Sequence, residues 1–209
     1  MHLNGEDLSA HVSRTRRIYD EGVAEYTRTT DKLDDFPGLD RELDRFFEAL
    51  PGELVLDLGC GAGRDAEYLI GRGAEVLAGD VSEEMLRYTR RRCAVFGSVQ
   101  CDLLALPLAS GVLDGVWACA SVLHLPKVAH PVAFAEIHRV LVPGGVTAIS
   151  LKAGESEGWV REGRMSSPRW FSLRRPEAVV DELSAVGFVS ARVLPSGRTN
   201  WFIVEAVKA

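Results

Sequence analysis

Short apolar runs alternate with stretches of helical period along most of the chain. From Glu53 the pattern becomes regular. Glu53–Leu58 reads as a buried strand, and Arg64–Arg72 as a helix ended by Gly73. Glu75–Val81 is a second strand. Ser82 is a good N-cap for the following helix, which runs to about Arg92, with Glu83 and Glu84 in the first turn. Ser98–Leu103 and Gly115–Ala120 read as the third and fourth strands. Pro131–Leu141 reads as a helix stopped by Pro143-Gly144-Gly145, and Val146–Leu151 as the fifth strand. Pro176 opens a last helix, which Gly187 ends, and two strands follow at Phe188–Leu194 and Phe202–Val207. This alternation predicts an α/β fold: a mostly parallel sheet with helices on both faces, with ligands taken beyond the carboxyl ends of the strands.

Two segments stand outside the alternation. Residues 1–50 read as a helical cap, broken at Phe36-Pro37-Gly38, ahead of a main domain at 51–209. Residues 153–175 are longer than a plain connection needs and carry Trp159, Trp170 and Phe171 interleaved with Arg161, Arg164 and Arg169. They read as an acceptor lid, with aromatics for a planar group and arginines for an anion, or as an excursion whose aromatics plug the core.

With 209 residues, the chain fits one ordinary domain. At 46% hydrophobic and 26% charged residues, disordered and fibrous classes are excluded. No apolar run approaches the roughly 20 residues that span a bilayer, and the first thirty residues show no secretory pattern. The cysteines, Cys60, Cys93, Cys101 and Cys119, show neither CxxC pairing nor metal-like spacing with histidine, so no metal is expected and the reducing cytosol is. A net charge of −6 argues against broad nucleic-acid binding, although residues 152–175 are locally basic.

The sharpest chemical signal is Val55-Leu56-Asp57-Leu58-Gly59-Cys60-Gly61-Ala62-Gly63, a strand running through a glycine-rich turn into a helix. Such a turn lets a ligand approach the main chain closely, and the helix start offers N–H groups. Asp80, at the end of the next strand, stands near the spacing of roughly 20 residues expected of a ribose-binding acid. The spacing is GxGxG, with Arg64 and Asp65 where the third glycine of a dinucleotide fingerprint would stand.

The stretch Asp57–Gly63 resembles the first motif of the class I S-adenosylmethionine-dependent methyltransferases. Four further segments resemble the family's motifs in order: Gly79-Asp80-Val81-Ser82-Glu83-Glu84-Met85-Leu86; Cys101-Asp102-Leu103 with Leu106-Pro107; Asp114-Gly115-Val116-Trp117 leading to Leu123-His124; and Leu141-Val142-Pro143-Gly144-Gly145. The resemblance implies a doubly wound, Rossmann-like sheet of seven strands, the last antiparallel, and S-adenosyl-L-methionine as cofactor. It implies that Gly59, Cys60 and Gly61 form the loop at the methionine part, and that Asp57 orients it. Asp80 would hold the ribose, with Val81 and Met85 beside the adenine. Asp102 and Leu103 would contact the adenine, and Ala118 to Ser121 would line the methyl end. Met85 serves equally well as plain core, and Asp102 taken alone reads as a turn cap. Tyr19-Asp20 with Tyr26 resembles an element whose tyrosines close over the cofactor, or packs as an amphipathic helix face.

Methyl transfer is an in-line displacement, and a base is needed only where the nucleophile must lose a proton. His124 is the candidate catalytic base, against a reading in which it packs and shapes the loop. Lys152, Trp159, Arg169 and Trp170 are the candidate acceptor contacts, with Glu155 and Glu157 on the same edge; Cys60 carries no sign of a nucleophile. His2, His11 and His130 give no signal, and His138 reads as structural. The expected partner is a small-molecule acceptor, anionic or aromatic. The alternatives are a tRNA base, aminocarboxypropyl transfer or cyclisation from the same cofactor, a binding module without turnover, and an NAD-dependent oxidoreductase, against which the loop spacing counts.

Overall fold

The computed structural model describes residues 5–161 and 163–209; positions 1–4 of the expected cap, His2 among them, and position 162 of the expected lid lie outside it. Among these residues the helical prelude consists of α1 (Gly5–Glu21), α2 (Val23–Thr30) and α3 (Leu39–Glu48), with the break at Phe36–Gly38 where expected. The alternating part follows as β1 (Leu54–Leu58), α4 (Arg64–Arg72), β2 (Glu75–Asp80), α5 (Glu83–Arg92), β3 (Gly97–Gln100), β4 (Leu113–Cys119), α6 (His130–Val140) and β5 (Leu141–Lys152). The chain closes with β6 (Glu157–Val160), β7 (Arg169–Ser172), α7 (Pro176–Ala185), β8 (Phe188–Pro195) and β9 (Trp201–Lys208).

One seven-stranded sheet has the order β3-β2-β1-β4-β5-β9-β8. Pairing is parallel from β3 to β5, and β9 runs antiparallel to both β5 and β8. The fold is the doubly wound sheet expected, with its last strand antiparallel. Period-two alternation sends neighbouring residues to opposite layers. Leu56, Val116 and Ile149 pack with Phe134 and Ile137 of α6 and Leu183 of α7, while Val55, Trp117 and Ala148 pack with Phe46 of α3 and Leu69 of α4. Burying each such leucine or phenylalanine contributes about 1.5–3 kcal/mol.

Two local expectations are corrected. The third strand ends at Gln100, because Cys101–Leu103 turn away: Cys101 N donates to Asp80 O, and Asp102 Oδ1 accepts from Leu104 N at 2.9 Å. Pro143-Gly144-Gly145 does not precede the fifth strand but lies inside it, as an irregularity where the register jumps from Leu113↔Leu141 to Gly115↔Val146. Within the expected lid, β6 and β7 pair antiparallel, Glu157↔Ser172 through Val160↔Arg169.

The prelude and the C-terminal hairpin are tied by a buried ion pair. Arg198 Nη2 lies 2.7 Å from Glu42 Oε2, with both side chains under a tenth exposed, and Ser196 Oγ donates to the other carboxylate oxygen. Removing one partner leaves the other charge buried. Arg198→Met is expected to cost about 3–5 kcal/mol in urea unfolding, and Glu42→Met/Arg198→Met to recover most of it. Equal stability of Arg198→Met and wild type would contradict this.

Candidate active site

The loops at the carboxyl ends of β1, β2, β4 and β5 meet over one edge of the sheet, as parallel topology dictates. After β1 the chain turns through Gly59 and Gly61, both at positive φ. A Cβ on Gly59 would lie 2.3 Å from Ser121 Cβ, and one on Gly61 would crowd the Tyr26 ring at 3.1 Å, so no other residue lets the loop sit this close to its neighbours. The loop's amides are spent within the protein. Gly59 N and Cys60 N donate to Gly79 O, and Gly61 N donates to Asp80 Oδ2 at 2.8 Å. These three amides are thus satisfied within the protein.

Asp80 is the centre of this edge. Its Oδ1 accepts from Ser82 N at 2.9 Å while Oδ2 holds Gly61 N. Burial raises its pKa to about 6, with the two amides pulling the other way. Asp57, also buried, is pushed well above the usual carboxylate range by burial and by Asp65 nearby, and its Oδ2 finds no partner among the described residues.

A cleft opens against Asp80. Gly59, Gly61, Val81, Asp102, Leu103, Cys119, Ala120 and Ser121 line its floor, and Val12, Thr15, Tyr19 and Tyr26 its roof. Its charged lining among the described residues is two aspartates, Asp80 and Asp102, and no lysine or arginine. Thr15 Oγ1 and Ser121 Oγ, buried in its wall, have no partner among the described residues. Ala120, at the tip of β4, is held at φ 57°.

The roof is α1 and α2 joined to the β6–β7 hairpin. Asp20 Oδ1 accepts from Ser82 Oγ at 2.6 Å, fastening α1 to the start of α5, where negative charge suits the helix dipole. Arg14 stacks on Trp159 at 3.8 Å, and His11 packs against Trp159 and Trp170. Glu25 accepts from Ser166, and Arg164 donates to Thr29 O. His11 gave no signal in the sequence, yet it is buried, lines the cleft, and donates from Nε2 to His124 O at 2.8 Å. Only its helical register with Thr15 and Tyr19 marked it.

His124 is saturated. Nδ1 lies 2.7 Å from Trp170 O, an acceptor, so Nδ1 carries the proton; Nε2 then accepts from Tyr19 Oη at 2.7 Å. Burial drives its pKa down to about 3, opposed by the Trp170 hydrogen bond and reinforced by Arg169. Burial likewise raises the Tyr19 and Tyr26 hydroxyls. The expected base has its lone pair occupied.

On the far side of Tyr19, Tyr26, Cys119, Ala120 and His124 lies a second chamber of about 400 Å³. Those five residues line both cavities. Among the described residues, the chamber's charged lining is Arg64, Lys152, Arg164, Arg169, Arg198 and Asp35.

The structure thus brings Tyr19, Tyr26, Gly59, Gly61, Asp80, Val81, Asp102, Leu103 and Ser121 to the cleft, and Lys152 and Arg169 to the chamber. It places others elsewhere. Met85 is fully buried in α5 and lines neither cavity, which answers to its core reading; Ala118 is likewise buried beneath the tip of β4. Cys60 lies in a small crevice beside Tyr26 and Arg64, with burial raising its thiol well above the usual range. Trp159 and Trp170 hold the roof to α1 instead of lining the chamber. Glu155 and Glu157 turn to Arg175 and Lys127. His130 is buried against Leu125 O and Arg174, and His138 packs on Phe188.

A family model described as a methyltransferase domain matches residues 55–145. A malonyl-[acyl-carrier protein] O-methyltransferase of Enterobacter lignolyticus is 39% identical over 119 residues, covering 56% of this chain and 47% of that protein. The enzyme of that name from Pectobacterium atrosepticum is 31% identical over 184 residues, covering 85% and 66%. The chain thus spans about half to two thirds of the length of these relatives. Among solved structures, a Burkholderia thailandensis 1,6-didemethyltoxoflavin-N1-methyltransferase, with bound 1,6-didemethyltoxoflavin and S-adenosylhomocysteine, superposes with a TM-score of 0.70 at 22% identity, over 100% of this chain and 92% of that one.

The hydrogen bonds around His124 make a spectroscopic prediction. Nitrogen NMR should show the Nδ1–H tautomer, neutral throughout pH 5–8, since the pKa lies near 3. A titration midpoint near the ordinary histidine value of about 6.5 would contradict the geometry.

Proposed function

Because the chain belongs to the class I S-adenosylmethionine-dependent methyltransferases, we propose that it transfers a methyl group from S-adenosyl-L-methionine to a small organic acceptor, of the anionic or aromatic kind its sequence suggests. The observation that carries this reading is the pair of cavities with one common wall: an acidic cleft and a basic, aromatic-lined chamber, separated by Tyr19, Tyr26, Cys119, Ala120 and His124.

The residues present fit the cofactor. The glycine loop admits a ligand where a Cβ would not fit, and among the described residues the Thr15 and Ser121 hydroxyls lack partners and the cleft's only charged side chains are carboxylates. A cleft of that sign suits a cation. When bound, S-adenosyl-L-methionine supplies an electrophilic methyl group on a positively charged sulfur. Asp80 would accept from the ribose hydroxyls, its other lone pairs being held by Gly61 N and Ser82 N. Val81 and Leu103 would flank the adenine, and Asp102, which already caps its own turn, would accept from the adenine amino group through its remaining oxygen. Asp57 and Cys60 would hold the loop from below, while Ser121 and Ala120, above buried Ala118, face the methyl end.

The chain's own work is then alignment. Tyr19 and Tyr26 meet edge to face at 5.7 Å and close the wall over the methyl position. His124 positions Tyr19 instead of abstracting a proton, because its lone pair already receives the Tyr19 hydrogen. The attacking atom must arrive with a lone pair ready, and rate comes from holding it about 3 Å from the methyl carbon with water excluded. We assign residues 1–50 the part of a cap and 153–175 that of a roof and acceptor lid, with 51–209 as the methyltransferase domain. No helix of the described residues is long and apolar enough to cross a membrane, and the four thiols are unpaired, which supports placement in the reducing cytosol.

The test uses methyl-labelled cofactor and a fractionated metabolite extract. Label in a small molecule, with S-adenosylhomocysteine as by-product, is the expected result. Methylthioadenosine, or label in the RNA fraction alone, would overturn the reading. Loss of charged hydrogen bonds worth about 1.5–3 kcal/mol means that Asp80→Ala should raise the cofactor KM about 10- to 100-fold. An unchanged KM would contradict the assignment.

A further inference from the structure

A threonine inside a helix ordinarily turns its hydroxyl back to a carbonyl of the preceding turn. The cap follows this at Thr27, Thr29 and Thr30, whose Oγ1 atoms donate to Ala24 O, Glu25 O and Tyr26 O. Thr15, in the interior of α1, does not. Its Oγ1 is buried without a partner among the described residues, and the residue lines the cleft. Resting on the methyltransferase reading, we infer that Thr15 is a further cofactor-binding residue: its hydroxyl hydrogen-bonds the nucleoside of S-adenosyl-L-methionine from the roof, while Asp80 holds it from the floor.

A buried hydroxyl with no partner costs stability, and a valine of the same shape would pack this wall without that cost. The free protein therefore gives no reason for the oxygen. The cost is met twice in one cleft. Ser121, under a tenth exposed, also keeps its Oγ buried without a partner among the described residues. Polar atoms left open on the roof and on the floor of one cavity mark a ligand that carries donors or acceptors on both sides. Helical register places the roof contact. Val12, Thr15 and Tyr19 are three and four residues apart on one face of α1, and all three line the cleft. Val12 also borders a surface crevice with Gln100, Cys101 and Asp102, which continues the cleft at its adenine end. Tyr19 stands in the common wall at the methyl end. Thr15 lies between them, which assigns its hydroxyl to the sugar. The polar ties from α1 to the floor include Tyr19 to His124, His11 to His124 O and Asp20 to Ser82. Thr15 adds one that forms only when the ligand is bound.

Calorimetric titration of the full chain with S-adenosylhomocysteine tests this on Thr15→Val and Thr15→Ser, with urea unfolding of the free proteins alongside. Thr15→Val should bind about three- to tenfold more weakly than wild type. Its urea midpoint without ligand should equal or exceed that of wild type, because the valine removes an unpartnered hydroxyl. Thr15→Ser, which keeps the hydroxyl, should bind within about twofold of wild type. Methylthioadenosine, which keeps the nucleoside and lacks the amino acid, should bind Thr15→Val more weakly than wild type by the same factor. Unchanged S-adenosylhomocysteine affinity in Thr15→Val would overturn the inference while wild-type binding leaves the functional reading standing. A urea midpoint below that of wild type would overturn it too, by revealing a partner within the protein. A loss confined to S-adenosylhomocysteine would overturn the assignment to the nucleoside. If wild type itself fails to bind S-adenosylhomocysteine, the functional reading falls and takes this inference with it.

Discussion

A carboxylate buried at the end of β2 organises the working edge of this protein. Asp80 receives one amide from the glycine loop and one from the start of α5, so a single side chain joins two loops that the bonds of Gly59 N and Cys60 N to Gly79 O also hold together. Burial holds its pKa near 6. A charge this far from water costs stability, and the fold tolerates it where a ligand's donors complete its shell. The glycine loop fits the same scheme: its amides serve β2 and Asp80, and what it offers a ligand is proximity.

The electrostatic division follows from that edge. Carboxylates gather under the roof on the β1–β2 side, and bases gather on the β5 side, where Lys152 ends its strand and the β6–β7 hairpin brings Arg169. Between them stands a wall of two tyrosines, a histidine and the strained tip of β4. The roof ties the two halves together. Tyr19 reaches His124, Asp20 reaches Ser82, and the hairpin's tryptophans grip α1.

Much of this was legible in the sequence wherever chemistry is local. The strand–turn–helix at Asp57–Gly63, the Ser82 cap and the acid at the tip of β2 are each fixed by neighbours a few residues away, and all stand as read. What the sequence concealed depends on long-range contact. That the glycine-loop amides are spent within the protein depends on Gly79 and Asp80, about twenty residues on. The saturation of His124 depends on Tyr19 and Trp170, which are 105 and 46 residues away. His11 carries no motif and enters the site only because α1 lies across the cleft. The Trp159 and Trp170 assignment rested on composition, which says that an aromatic will be buried but not which surface will bury it. Pairing of β6 with β7 turns both rings towards α1.

The central claim is that Asp80 receives the sugar of the cofactor as a carboxylate. In the free protein near pH 6 this group is about half protonated, so binding must expel about half a proton. Titrating S-adenosylhomocysteine calorimetrically in buffers of different ionisation enthalpy measures that proton directly. The account predicts release of about half a proton per ligand at pH 6 and close to none at pH 7.5. Tight binding at pH 6 with no dependence of the heat on the buffer would contradict it.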